Sequence, residues 1–228
     1  MLVSRISRLL KGRLAVNPPK PERKKIREAV ADLKRRRILE AATDLFYDLG
    51  FTNTTLDQVA EQLGVTKPFI YSHVGSKSAL LGEISSQGVQ RALEAIDQAI
   101  AMDGSPGEML ARFVPDYVTA ILRSQKSIAI NIREEKNLDP VDAARLAALR
   151  QQFMGKIETL LSRGVESGEI RVPDTRVAAF ALVGAVSWTT FWFHPAGPLS
   201  IDEISARMTA TILNLTHTRT VSKAVEDA

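Results

Sequence analysis

Residues 54–81 read TTLDQVAEQLGVTKPFIYSHVGSKSALL, and the punctuation of that stretch decides the fold. Thr55 and Gln58 have the spacing of a capping box, in which the threonine accepts from the third amide while the glutamine reaches back to the cap. This predicts a helix from Leu56 to Leu63, stopped at Gly64, where a missing Cβ permits the positive φ of a tight turn. A second helix starts at Thr66 and ends near Val74-Gly75, and Ser76 caps a longer one reaching to about Met102. Two helices joined so closely need a small residue where their backbones approach, and Ala60 stands there. Leu56, Val59 and Leu63 from the first, with Ile70 and Val74 from the second, close a small core between them. These are the requirements of a helix-turn-helix.

The helical rhythm continues on both sides. Ile38, Leu39, Ala42, Leu45, Phe46 and Leu49 share a 3.6-residue period that Gly50 closes, and Ile26, Val30 and Leu33 carry it upstream toward the break at Asn17-Pro18-Pro19-Lys20-Pro21. Downstream, Ser105 and Glu108 form a capping box for a helix to about Arg123, and Asp139-Pro140 opens a long helix to about Ser167. Val172-Pro173-Asp174 starts an apolar helix, Ser200 and Glu203 cap the last, and the chain turns polar after about Leu215. No stretch alternates long enough to suggest a sheet, so the expected class is all-α.

Composition narrows the chemistry. The 228 residues include no cysteine, which excludes disulfides, thiolate metal sites and cysteine nucleophiles and suits a reducing cytoplasm. His73, His194 and His217 are too far apart for a familiar ligand spacing, so neither a metal nor a cofactor is expected. There is no glycine-rich phosphate loop and no serine elbow, and Glu134-Glu135 reads as a solvated face, so an enzyme is not expected. Val177 to Phe193 has no charge over 17 residues, but Ser187, Thr189, Thr190 and the His194-Pro195 stop favour a helix buried in a core or an oligomer interface over a membrane span.

Charge is spread unevenly. Residues 1–37 hold 13 Lys/Arg against 3 Asp/Glu, a balance of +10, while the rest hold 17 against 23, a balance of −6. A basic arm before an acidic body points to a polyanionic partner. Leu2, Ile6, Leu9 and Leu10 among arginines leave two other readings for the first 16 residues, a membrane-surface helix or a solubilising tail.

Residues 54–81, with the preceding Ile38 to Phe51, strongly resemble the DNA-binding domain of TetR-family repressors. The resemblance covers residues 35–81; the later helices match that family's regulatory domain only in number and order. It implies a basic arm at 1–34, a DNA-binding domain at 35–81, a ligand-binding and dimerisation domain at 82–216 and a polar tail at 217–228. It also implies that the helix from Thr66 to His73 enters the major groove, with Lys67 and Phe69 offered to base edges and Pro68 in the first turn. Thr55, Thr66, Tyr71, His73 and Lys77 would meet phosphates, joined by Arg36 and its basic neighbours from the arm. The partner is then double-stranded operator DNA, palindromic because a homodimer reads it.

For the body, Arg133-Glu134-Glu135, Leu149 to Phe153, Ser187 to Trp192 and Pro195 to Ser200 resemble regulators that respond to acyl-CoA thioesters. That likeness implies an apolar channel lined by Phe113, Phe153, Trp188, Phe191 and Trp192, with Arg133 or Arg150 meeting phosphates. Asp174 to Phe193 and Ile201 to Leu213 would build a four-helix dimer interface through Ala178, Ala181, Gly184 and Ala185. Two alternatives stay open: a regulator of efflux or detoxification genes that senses an apolar drug-like ligand, and a membrane-surface interaction protein.

Overall fold

The computed structural model describes residues 20–216, with side chains from residue 24 onward. The amphipathic segment 1–16 and the polar tail 217–228, with His217, lie outside the described residues. Among the described residues there are nine α-helices and no strand.

The first three helices and the start of the fourth make a small unit around one core. Helix α1 (Lys20–Leu49) buries Ile38, Ala42 and Phe46 at four-residue spacing against Leu56, Val59 and Ala60 of α2 (Leu56–Leu63) and Ile70 and Val74 of α3 (Lys67–Val74). The Thr55 capping box forms as expected, with Gln58 N–H donating to Thr55 Oγ1 at 3.2 Å and Thr55 N–H donating to Gln58 Oε1 at 2.7 Å. Gly64 adopts φ 64°, ψ 33°, and Val65 N–H closes the turn onto the Ala60 carbonyl at 2.9 Å. A Cβ at Gly64 would meet nothing within 4 Å, so it is backbone conformation, not space, that calls for glycine there. Upstream of Ile38, residues 24–37 of α1 are exposed throughout.

Helix α4 (Lys77–Ala101) belongs to both parts of the molecule. Leu80, Leu81 and Ile84 complete the first core, whereas Ala92, Leu93 and Ile96 enter the second. That larger core is shared with α5 (Pro106–Arg123), α6 (Gln125–Glu134), α7 (Pro140–Glu166), α8 (Thr175–Trp192) and α9 (Ile201–Leu215). Helix α6 and the short 3₁₀ turn Glu135–Asn137 went unseen in the sequence, because no glycine or proline separates α6 from α5 and the hinge Ser124 makes no side-chain cap.

Helix α8 shows one of its two faces to solvent in the single chain. It is apolar all round, but a single chain buries only Ala179, Leu182, Val186 and Thr189, against α5 and α7. Its other face carries Val177, Phe180, Trp188, Phe191 and Trp192, with Trp188 64% and Phe191 57% exposed. No described helix is long and apolar enough to cross a membrane.

Two glycines of α7 separate space from propensity. A Cβ at Gly164 would fall 2.3 Å from Ile170 Cδ1, whereas one at Gly155 would meet nothing within 4 Å. Gly164→Ala is expected to cost about 1–3 kcal/mol by overpacking, and Gly155→Ala to gain about 0.5–1 kcal/mol, in urea denaturation of each variant.

Candidate nucleic-acid interface and ligand cavity

Helix α3 has a buried and an outward side. Ile70 and Val74 fix it in the core, leaving Thr66, Lys67, Pro68 and Tyr71 exposed. Thr66 caps α3 by backbone geometry and makes no side-chain cap bond; Pro68 offers no N–H, and Phe69 N–H donates to the Thr66 carbonyl at 3.0 Å. Lys67 Nζ donates to Asp57 Oδ2 at 2.8 Å, and this bond, with the aspartate's charge, holds the ammonium above its ordinary pKa. Phe69 is half-buried, its ring 4.3 Å from the His73 ring and under Lys34 Nζ at 5.3 Å, which brings the basic stretch of α1 alongside the recognition helix. The carbonyl of Phe69 holds His73 Nδ1 at 2.8 Å.

Of two further basic residues named from the sequence for phosphate contact, Lys77 is engaged inside the protein and Arg36 stays exposed. Lys77 Nζ donates to the carbonyls of Thr54 at 2.6 Å and Thr52 at 3.3 Å and sits 4.4 Å from the centre of the Phe51 ring. Partial burial lowers its pKa, so what explains a lysine at this helix start is an internal tie to the loop before α2. Arg36 lines a wide polar cleft between α1, α4 and α6. Its neighbour Arg35, given above only as part of the basic arm, donates to the His73 carbonyl at 2.6 Å and pairs with Glu83, locking the end of α3 to α1 and α4.

In the body, helices α4 to α8 line a cavity of about 350 Å³ that is open on one side. Phe153 and Arg150, both named from the sequence, line it, and so do Tyr117, Met154, Ser85 and Asn131, which were not. Burial pushes the Tyr117 phenol up to about 12, so it stays neutral and can share its proton with Ser187 Oγ, 3.5 Å away. Arg150 donates to Glu135 Oε1 at 3.1 Å from an exposed position at the rim. The signals for the unannounced residues were weak: a serine and an asparagine among apolar helical neighbours read as ordinary surface positions until packing turns them inward.

Other expected lining residues sit outside the cavity. Phe113 is wholly buried in the core, stacked on Tyr117 at 5.2 Å. Trp188, Phe191 and Trp192 lie on the exposed face of α8, because the register that buries Leu182 and Val186 turns them outward. Arg133 points to α1: it donates to the Tyr47 carbonyl at 2.9 Å and the Phe46 carbonyl at 3.4 Å and lies 5.2 Å from the centre of the Tyr47 ring.

Helix α6 thus has two working faces. Ile128 and Asn131 reach the cavity. Lys126 bonds Asp44 at 2.6 Å, Ile130 joins the first core, Arg133 caps the end of α1, and Glu134 accepts from Phe51 N–H at 3.4 Å. Arg133→Ala should lower stability by about 1–2 kcal/mol and speed amide exchange at Gly50 and Phe51, by loss of a charge-assisted cap. A ligand-contacting Arg133 would leave both readouts unchanged.

Comparison with known proteins matches this geometry. Residues 38–84 match the model for bacterial regulatory proteins of the tetR family, and residues 103–216 the model for a tetracyclin repressor-like C-terminal domain. The transcriptional repressor KstR2 of Mycolicibacterium smegmatis is 25% identical over 183 residues, covering 79% of this chain and 89% of the relative. Among solved structures, the regulator PfmR of Thermus thermophilus has 30% identity and a TM-score of 0.70 over 78% of this chain and 97% of its own. AibR in complex with isovaleryl coenzyme A and operator DNA has 26% identity and a TM-score of 0.67 over 81% and 99%.

Proposed function

The chain belongs to the TetR family of bacterial transcriptional regulators, and from that premise we propose that it is a dimeric repressor released from a palindromic operator by an acyl-type ligand. It is a ligand-responsive regulator and not an enzyme. The observation that carries the DNA-reading part is the outward end of α3, where Thr66, Lys67, Pro68 and Tyr71 all stand exposed. Lys67 exchanges Asp57 for guanine acceptors, Phe69 meets a thymine methyl, and Thr55, Thr66, Tyr71 and His73 hold phosphates. Lys77 acts by shaping the loop before α2, and Arg36 with the exposed basic half of α1 adds phosphate contacts.

The exposed apolar face of α8 supports the dimer: Phe180, Trp188 and Phe191 are too large and too apolar to be left in water on a helix that also offers Ala181 and Gly184 for close approach. The acyl reading is supported by the apolar cavity with Arg150 at its rim, and by the isovaleryl coenzyme A bound to AibR. A cavity of about 350 Å³ suits the acyl portion, with the nucleotide held outside near Arg150. Because α6 spans cavity and α1, a ligand that shifts α6 changes the spacing of the two recognition helices and favours the state that does not fit the operator.

Mobility shift on the DNA upstream of the chain's own gene tests the reading. Tyr71→Phe and Lys67→Ala should each weaken binding by about 5- to 20-fold, from loss of one phosphate or base contact. Removal of residues 1–34 should weaken it further and flatten its salt dependence; an unchanged salt slope would rule out arm contacts with phosphate. Trp188→Glu should sediment as a monomer at micromolar concentration and lose operator binding. Isovaleryl coenzyme A should release the DNA where free coenzyme A does not. A thioester that binds without changing operator affinity would remove inducer-driven release for that ligand.

A further inference from the structure

The cavity holds two polar groups that its apolar character leaves unexplained. Ser85 Oγ of α4 and Asn131 Oδ1 of α6 have no hydrogen-bond partner in the protein, and their residues are only 6% and 8% exposed. Both residues line the cavity. Buried polar groups without partners lower stability, so a fold keeps them where something else satisfies them. The other polar groups at this wall have partners: Tyr117 and Ser187 have each other, and Arg150 has Glu135.

The helices bring the two orphans together. Arg91 of α4 donates to Ser124 Oγ at 2.9 Å, Ser127 Oγ of α6 donates to Gln87 Oε1 at 2.8 Å, and a Cβ on Gly88 would fall 3.0 Å from Ile128. Residue numbers fall along α4 as they rise along α6, so the pair is antiparallel, and its next turn sets Ser85 opposite Asn131. Both open onto the same cavity from these two neighbouring helices, without a partner in the protein.

That pairing specifies a chemistry. Ser85 can donate or accept, and Asn131 Oδ1 can only accept. One ligand oxygen meets both if it accepts from Ser85 and donates its own proton to Asn131. An alcohol or phenol does this; an ether, an ester or a carboxylate cannot donate. Resting on the reading of this cavity as the inducer site, we propose that the inducer carries a hydroxyl on an apolar frame, seated between Ser85 and Asn131. For an acyl ligand this means a hydroxylated acyl group. The hydroxyl pulls on Asn131, in the same helix as Ile130 and Arg133, and so acts on the face that holds α1.

Calorimetric titration of the full chain with 1-octanol and 1-methoxyoctane tests this, since the two probes share an apolar chain and differ in the donor. Octanol is expected to bind about tenfold or more tighter, the effect of one buried hydrogen bond gained against one acceptor left unpaired. Asn131→Leu should cut octanol affinity at least about fivefold and leave methoxyoctane unchanged, whereas Ser85→Ala should weaken both probes, because either oxygen accepts from Ser85. Neither variant should lower the thermal midpoint of the ligand-free chain, because each removes an unsatisfied polar group, and this separates lost recognition from lost folding. If both probes bind equally in the wild type and the variants, the cavity reading stands and the hydroxyl proposal is overturned. If neither probe binds, the cavity reading falls and the proposal falls with it.

Discussion

Ile130 is carried by α6, a helix of the larger bundle, yet its side chain is wholly buried among Ile38, Phe46, Ile84 and their neighbours in the DNA-reading unit. A core is close-packed and transmits displacement instead of absorbing it. The tie is reinforced at three nearby points, by Lys126 to Asp44, Arg133 to the last carbonyls of α1, and Glu134 to the amide of Phe51. With α4 running through both cores, these contacts make α1 a follower of α6. Under the proposed function, an occupant of the cavity on α6's other side would reach the recognition helix by this route.

The contacts that join the parts differ from those that stabilise them. Apolar burial holds each core, and it tolerates little redesign, as the close approach of Gly164 to Ile170 illustrates. The joints are charged or carbonyl-directed: Arg35 to His73 and Glu83, Lys77 to the Thr54 carbonyl, Arg133 to Tyr47. Such bonds are directional and individually modest in water. Cationic residues that look like candidates for a polyanion are, in part, the fasteners of the DNA-reading unit.

Local chemistry was legible in the residues. Thr55 and Gln58, Gly64, Ser76, Ser105 and Glu108, and Ser200 and Glu203 mark helix ends through bonds that span three or four residues, and Asp139-Pro140 through proline's fixed φ, so no knowledge of the fold is needed to read them. The helix-turn-helix was legible for the same reason, since Leu56, Val59, Ala60, Ile70 and Val74, which pack α2 against α3, lie less than twenty positions apart. Helix α6 lacked such marks and was missed.

Which side of a helix meets which neighbour is set by contacts distant in sequence, and there the residues by themselves were ambiguous. The sequence determined that α8 is apolar all round and that Arg133, Arg150, Phe113 and Trp188 have the chemistry of a ligand site. Only the tertiary structure decided that Trp188 faces outward, that Phe113 fills the core, that Arg133 fastens α1, and that Ser85 and Asn131 look into the cavity. A helix of period 3.6 offers every residue type a direction, but packing alone chooses which direction is inward.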